Sequence, residues 1–114
     1  DKWSKIEILG HLIDSGVNNL QRFTEIQFSD SPYQVRTYQQ NELVKANQYQ
    51  EALVIELVDL WITLNERLLV IMESQDDDSL SKPIVLPSGD ESDLRFLMKD
   101  YVRHLEHHLM QIQD

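Results

Sequence analysis

The sequence contains no cysteine. This absence excludes disulfides, thiolate metal ligands and a thiol nucleophile belonging to the protein itself. His, Asp and Glu remain as metal ligands, and any sulfur chemistry requires an external thiol. The lack of disulfides fits a cytoplasmic location, and no basic-then-apolar signal segment opens the chain.

Basic residues are scarce: Lys and Arg number 10 against 20 Asp and Glu, which gives a formal charge of −10. Nucleic-acid binding depends on Lys and Arg that neutralise phosphates, so we expect no nucleic-acid partner. An anionic membrane surface is disfavoured for the same reason.

A long uncharged apolar run is also lacking, since acidic and basic residues interrupt the most apolar stretch, residues 52–72. That stretch therefore predicts a buried helix and no membrane span.

Helical periodicity dominates what is present. The chain has 114 residues, 41% of them hydrophobic, which is enough for one core and predicts a single domain over residues 1–114. Apolar positions repeat at helical spacing from about Ser4 to Phe28, from about Gln50 to Ser74, and from about Ser92 to the end. No strand alternation of comparable length competes with them. The predicted fold class is all-α, with three long helices.

The connections between these helices have different predicted characters. Residues 32–48 are polar but carry apolar side chains that favour short helical turns packed on the core. Residues 75–91 hold turn formers and the triplet Asp76-Asp77-Asp78, which predicts a solvated turn because calcium-loop spacing is absent. The second long helix is apolar around most of its circumference. We expect it to bury one face against the other two helices and another against a further helix or subunit.

Histidines carry the chemistry that the sequence offers. His104 and His108 lie one helical turn apart at the edge of an apolar arc, whereas His107 falls outside that arc. Two imidazoles at this spacing can hold one metal ion, and they can equally be boundary side chains that bond to neighbouring helices. The His-Glu-x-x-His motif of zinc proteases and the Glu-x-x-His pairs of di-iron bundles are both absent, which excludes these two enzyme classes.

His11 is the remaining histidine. On the first helix it lies opposite the apolar arc, in a stripe with Glu7, Asp14, Asn18 and Arg22. Periodicity alone predicts that His11 is exposed to solvent. The same stripe can also line a polar groove between helices, where helical bundles build metal and substrate sites.

Three segments of the chain resemble the DinB-like family. The first is similar to the opening motif of the family and consists of WSK at 3–5, EILGHLIDS at 7–15, Asn18-Asn19 and Arg22-Phe23. The second is similar to the third helix of the family and consists of Leu60-Trp61 and Leu64-Asn65. The third is similar to its closing helix and consists of Asp100-Tyr101-Val102, His104, His108 and Gln111-Ile112. Together they cover most of the chain. The paired histidine motifs at its two ends are more specific than either one alone.

This resemblance implies an up-down-down-up four-helix bundle, often dimeric, in which three histidines bind a divalent metal such as zinc or nickel. By position the ligands are His11, His104 and His108. Members with known activity use a low-molecular-weight thiol, as in bacillithiol or mycothiol transferases, a mycothiol-dependent maleylpyruvate isomerase and ergothioneine-forming enzymes. Others have been described as metal-dependent hydrolases. Family members usually begin with a helix before the Trp-Ser motif, so the resemblance implies that this first helix is missing here.

Two functions remain open at this stage. In the first, the chain is an enzyme for a small-molecule substrate, and the metal activates an external thiol or water for transfer or hydrolysis. Asp14 or Glu106 then orients a ligand imidazole or is a surface acid, and Arg22 holds a substrate carboxylate or forms a salt bridge within its own helix. In the second, the chain is a non-enzymatic dimerisation or interaction domain with a vestigial metal site. A homodimer is expected in either case.

Overall fold

Three long helices make up most of the structure, a computed structural model that describes residues 2–113. In chain order the elements are α1 (Lys5–Ile26), β1 (Tyr33–Gln34), α2 (Gln40–Ala46), a 3-10 turn (Tyr49–Glu51), α3 (Val54–Glu73), α4 (Asp77–Leu80), β2 (Pro83–Val85), β3 (Glu91–Asp93) and α5 (Leu94–Gln113). The all-α class with three long helices and short helical turns is confirmed. The boundaries of the long helices differ from the predicted ones by a few residues.

A reciprocal cap fixes where α1 begins. The backbone N–H of Ser4 donates to Glu7 Oε1 at 2.9 Å, and the backbone N–H of Glu7 donates to Ser4 Oγ at 3.3 Å. This capping box satisfies two backbone donors that the first turn would otherwise leave unpaired. The cap also fixes the chain direction at Trp3, which precedes it.

Helix α1 packs against both α3 and α5. Its partners on α5 show that these two helices are antiparallel, because His11 contacts His104 whereas Phe23 stacks edge-on against Tyr101. Phe23, Leu68, Ile84 and Leu94 are each at most 1% exposed. Full burial of such side chains contributes roughly 1.5–3 kcal/mol apiece, so this core holds α1 rigidly beside α5.

A small sheet accompanies the helices, and the sequence did not predict it. Strand β1 pairs in parallel with β2, and β2 pairs antiparallel with β3. Ile84 of β2 is fully buried, which anchors the sheet to the helical core. Strands of two or three residues are too short to show an alternating pattern, so periodicity had no signal to detect.

Helix α3 is buried on one face only. Leu57, Leu64 and Leu68 face the core. Apolar side chains on the rest of its surface are exposed, as is Leu53 just before the helix: Val54, Ile55, Leu60, Ile62, Leu69 and Val70. The expectation that another helix or subunit covers this second face stays a prediction. Among the helices of residues 2–113, none combines the length and apolar character that a membrane span requires.

Candidate metal centre

Three histidines from the two ends of the chain meet between α1 and α5. His11 Nε2 lies 3.3 Å from His104 Nε2, and His104 Nε2 lies 3.1 Å from His108 Nε2. One ring nitrogen from each of the three residues lies within 4.8 Å of the others. His11 is fully buried, while His104 and His108 are partly buried. The structure thus brings together the three residues that the resemblance named.

The nitrogen spacing fits a shared metal ion. Ligands about 2.0–2.1 Å from a tetrahedral zinc ion lie roughly 3.3 Å from one another, and two of the three pairs have this separation. Three imidazoles also supply only neutral nitrogen donors, which suit zinc and nickel. The donor set therefore fits a divalent cation held at three Nε2 atoms.

Burial and mutual proximity favour the neutral form of the His11 and His104 rings, which is the form that binds metal. Burial, together with the neighbouring His104 and His108, lowers the pKa of His11 to about 4. The pKa of His104 is lowered as well, mainly by burial and then by His108, although Asp100 opposes the shift. A proton on one ring would place a positive charge among the others in a poorly solvated site.

Two side chains outside the predicted set orient the ligands. His108 Nδ1 lies 2.7 Å from Gln111 Oε1, an acceptor that favours the tautomer with the proton on Nδ1 and leaves Nε2 free. Trp3 lies against His11 with ring centroids 4.7 Å apart and covers it. Gln111 and Trp3 both lie in the segments that carry the family resemblance, yet nothing in the pattern indicated these roles.

His107 does not join the cluster. It is exposed on α5, with its ring centroid 5.2 Å from that of His108, and it is not part of the group of nitrogens that can share an ion. This position matches the arc of α5, which placed His107 outside the apolar face. His107 is therefore a control on the same helix for the ligand candidates His104 and His108.

The exposure predicted for His11 from periodicity is wrong, because His11 is fully buried. The polar stripe of α1 faces neighbouring segments: His11 contacts α5, Asp14 bonds to the connection after α2, and Arg22 bonds to the connection after β1. A single helix read alone shows which side is apolar, but it does not show what packs on the polar side. Arg22 lines a cavity beside His104, so the alternative interpretation of a polar groove agrees with that part of the stripe.

Asp14 is buried one turn after His11 and binds the connection between α2 and α3. Its Oδ1 accepts hydrogen bonds from the Tyr49 hydroxyl at 2.6 Å and from Asn47 Nδ2 at 2.9 Å. Burial raises the pKa of Asp14, and these two hydrogen bonds oppose the shift. Within residues 2–113 neither His11 Nδ1 nor Asp14 Oδ2 has a hydrogen-bond partner. Glu106 is exposed on α5.

Arg22 is partly buried two to three turns further along the same face of α1. Its Nη1 donates to Asn19 Oδ1 at 3.4 Å, and its Nη2 donates to the backbone carbonyl of Arg36. The guanidinium carbon lies 5.3 Å from the centroid of the Tyr38 ring. The ion pairs found in residues 2–113 involve Arg95 and Arg103, so Arg22 has no salt bridge within α1.

Cavities approach the three histidines from two sides. One of about 340 Å³ is lined by His104 together with Arg22, Tyr38 and Tyr101. Another of about 650 Å³ is lined by His108 with Trp3, Gln111 and two lysines. Both volumes are within the usual range for small-molecule sites. His104 and His108 thus each line a cavity, whereas His11 lines neither of the two.

Acidification should destabilise the metal-free protein. The unfolded chain binds a proton at His11 below about pH 6.5, whereas folded His11 has its pKa lowered to about 4. The unfolded state therefore binds more protons between these values, and the free energy of unfolding should fall by roughly 2 kcal/mol between pH 7 and pH 5. Urea unfolding with a chelator present measures this change. A His11→Gln variant with the same slope would contradict the assignment to His11.

Comparison with known proteins gives a family and a fold. The sequence model of the DinB superfamily matches residues 1–112. The solved structure of YfiT from Bacillus subtilis, described as a probable metal-dependent hydrolase with an unusual four-helix bundle topology, superposes with a TM-score of 0.86 at 21% identity. The match covers 97% of this chain and 63% of that one, so the chain spans less than two thirds of that protein. No curated protein matches the sequence.

Proposed function

The chain belongs to the DinB superfamily, and from this premise we propose that it is a metal-dependent enzyme in which His11, His104 and His108 hold one divalent cation, zinc or nickel. The observation that carries the proposal is the convergence of three ring nitrogens from α1 and α5. The four-helix bundle fold shared with a protein described as a probable metal-dependent hydrolase supports it.

The reaction is hydrolysis or group transfer on a small molecule. A divalent cation held by His11, His104 and His108 would supply a Lewis acid that lowers the pKa of a water or thiol. Because the chain has no cysteine, a thiol nucleophile is an external low-molecular-weight cofactor. The cavity beside His104 takes the substrate, and the opening beside His108 and Trp3 gives a second approach for the nucleophile.

The protein's own residues set the geometry. The hydrogen bond between His108 and Gln111 keeps the His108 Nε2 lone pair directed at the other two rings. Trp3 lies against His11 and keeps water from the buried side of the site. Tyr49 and Asn47 bind Asp14 and so fix the polypeptide that follows α2 beside the site.

Metal content tests the proposal directly. Protein prepared without a histidine tag or a nickel column should contain close to one divalent ion per chain by elemental analysis. Metal removal should abolish turnover of an electrophilic ester or epoxide, and the dependence of turnover on added thiol should distinguish transfer from hydrolysis. Protein that stays empty after equilibration with zinc and with nickel would support the non-enzymatic alternative.

A further inference from the structure

One cavity connects the candidate metal centre to a cationic side chain that forms no ion pair with any residue from 2 to 113. The cavity of about 340 Å³ has His104 and Arg22 in the same lining. Their Cα atoms belong to different helices, and Arg22 lies 11 residues after His11 on α1. At the rise of an α-helix, the Cα atoms of His11 and Arg22 are about 16 Å apart along the axis of α1. Side chains on a helix lean toward its N-terminus, so the long side chain of Arg22 brings its guanidinium closer to the histidines than this distance.

The guanidinium of Arg22 has donors to spare. It carries five N–H groups, and the hydrogen bonds found for it use two nitrogens, one with Asn19 Oδ1 and one with the Arg36 carbonyl. Both acceptors are neutral, and the third contact is the face of Tyr38. Among residues 2–113 no carboxylate lies within salt-bridge distance of it. A partly buried guanidinium with free N–H donors and neutral acceptors around it can bind an anion by charge-assisted hydrogen bonds.

We propose that Arg22 binds a carboxylate of the substrate in this cavity, so that the group which reacts lies beside His104. The position of the reacting group beside His104 rests on the proposed function. The binding of an anion at Arg22 does not depend on that function. The contacts to Asn19 and Arg36 orient the planar guanidinium, which can then bind both carboxylate oxygens at once. The substrate is an organic acid whose carboxylate is several bonds away from its reacting group.

The remaining lining is mixed, with polar side chains such as Thr37 and Gln40, and its apolar part suits a singly charged acid with an apolar body. Leu86, Pro87 and Leu97 supply apolar contacts, and Tyr38 and Tyr101 add aromatic ones. In the part of the chain that the structure describes, Arg22 is the one cationic residue of the lining other than a histidine, and Asp100 also lies there. A phosphate dianion would meet one positive charge and one negative charge, so a carboxylate is the better match.

Binding of benzoate and of its neutral analogue benzamide tests the inference. Both are titrated into zinc-loaded and metal-free protein and followed by amide chemical shifts in the NMR spectrum. We expect benzoate to bind more tightly than benzamide and to shift signals around Arg22. Arg22→Gln should weaken benzoate about 10- to 100-fold, and Arg22→Lys should restore binding only in part because the planar fork is lost.

The control is Arg67→Gln, which removes the same charge from an exposed position on α3. It should leave benzoate affinity unchanged, and the fold of each variant is checked by its melting temperature. Equal weakening by Arg67→Gln, equal affinity for benzamide, or no saturable benzoate binding up to about 10 mM would overturn the inference. Benzoate binding that needs zinc but not Arg22 would also overturn it and would leave the metal proposal standing. Binding that depends on Arg22 in a protein unable to hold metal would support the anion site and contradict the metal proposal.

Discussion

His104→Ala is expected to lose the metal ion and the catalytic activity while the chain stays folded. His104 is the central member of the cluster, since its Nε2 lies within 3.3 Å of Nε2 of both His11 and His108. Its removal leaves two ligands from different helices. Loss of a residue that only orients a ligand already costs 10- to 100-fold in metal affinity, so loss of a ligand should cost more than about 100-fold.

The fold should tolerate this change. His104 is only partly buried at the edge of the apolar face of α5, and the buried residues of that helix are Leu94, Leu97, Met98 and Tyr101. We therefore expect the free energy of unfolding of the metal-free protein to change by no more than roughly 1–2 kcal/mol. His104→Ala should therefore lose catalytic activity without a comparable loss of stability.

The measurement combines metal content, thermal melting and turnover for the wild type, His104→Ala and His107→Ala. His107→Ala is the matched control because it removes an exposed imidazole from the same helix. It should retain metal and activity. Wild-type turnover by His104→Ala would exclude the catalytic site, and an unfolded His104→Ala protein would show that His104 has a structural role.

The candidate site was predictable where the signal was local. Ser4 and Glu7 predict the start of α1 because a capping box needs only residues three positions apart. His104 and His108 predict a shared face because one helical turn separates them. The pairing of these two with His11 came from resemblance, since a separation of 93 positions between His11 and His104 gives no spacing rule.

What the sequence could not show depends on contacts between distant segments. The burial of His11 requires Trp3 on one side and α5 on the other, and a helical wheel contains neither. The pairing of Tyr33 with Ile84 in the sheet joins residues about 50 positions apart through two- and three-residue strands. Likewise, the bond between Tyr49 and Asp14 crosses 35 residues. Tertiary packing determines each of these features.

Gly10→Ala should be the most destabilising single-methyl substitution that we predict. A Cβ atom built at Gly10 would lie 2.1 Å from Cδ2 of Tyr49 and 2.4 Å from its Cγ. These atoms belong to a rigid, buried ring whose hydroxyl donates to Asp14 at 2.6 Å. The ring can move away only by giving up that hydrogen bond, and a buried carboxylate that loses a donor is costly.

Alanine is favoured over glycine inside a helix by roughly 0.5–1 kcal/mol, which opposes this steric cost only in part. We expect the free energy of unfolding to fall by about 2–4 kcal/mol, as measured by urea denaturation. Gly16→Ala is the matched control on the same helix. There the closest atom is Cδ2 of Leu64 at 2.6 Å, the end of a flexible side chain, so Gly16→Ala should cost distinctly less.

A double-mutant cycle with Tyr49→Ala identifies the cause. If the ring of Tyr49 is the obstacle, Gly10→Ala should be neutral or stabilising in the Tyr49→Ala background, since the clash is gone and the helix preference of alanine remains. The coupling free energy between the two positions should then be at least as large as the destabilisation of the single Gly10→Ala variant. Equal losses from Gly10→Ala in both backgrounds would mean that something other than Tyr49 requires glycine at this position.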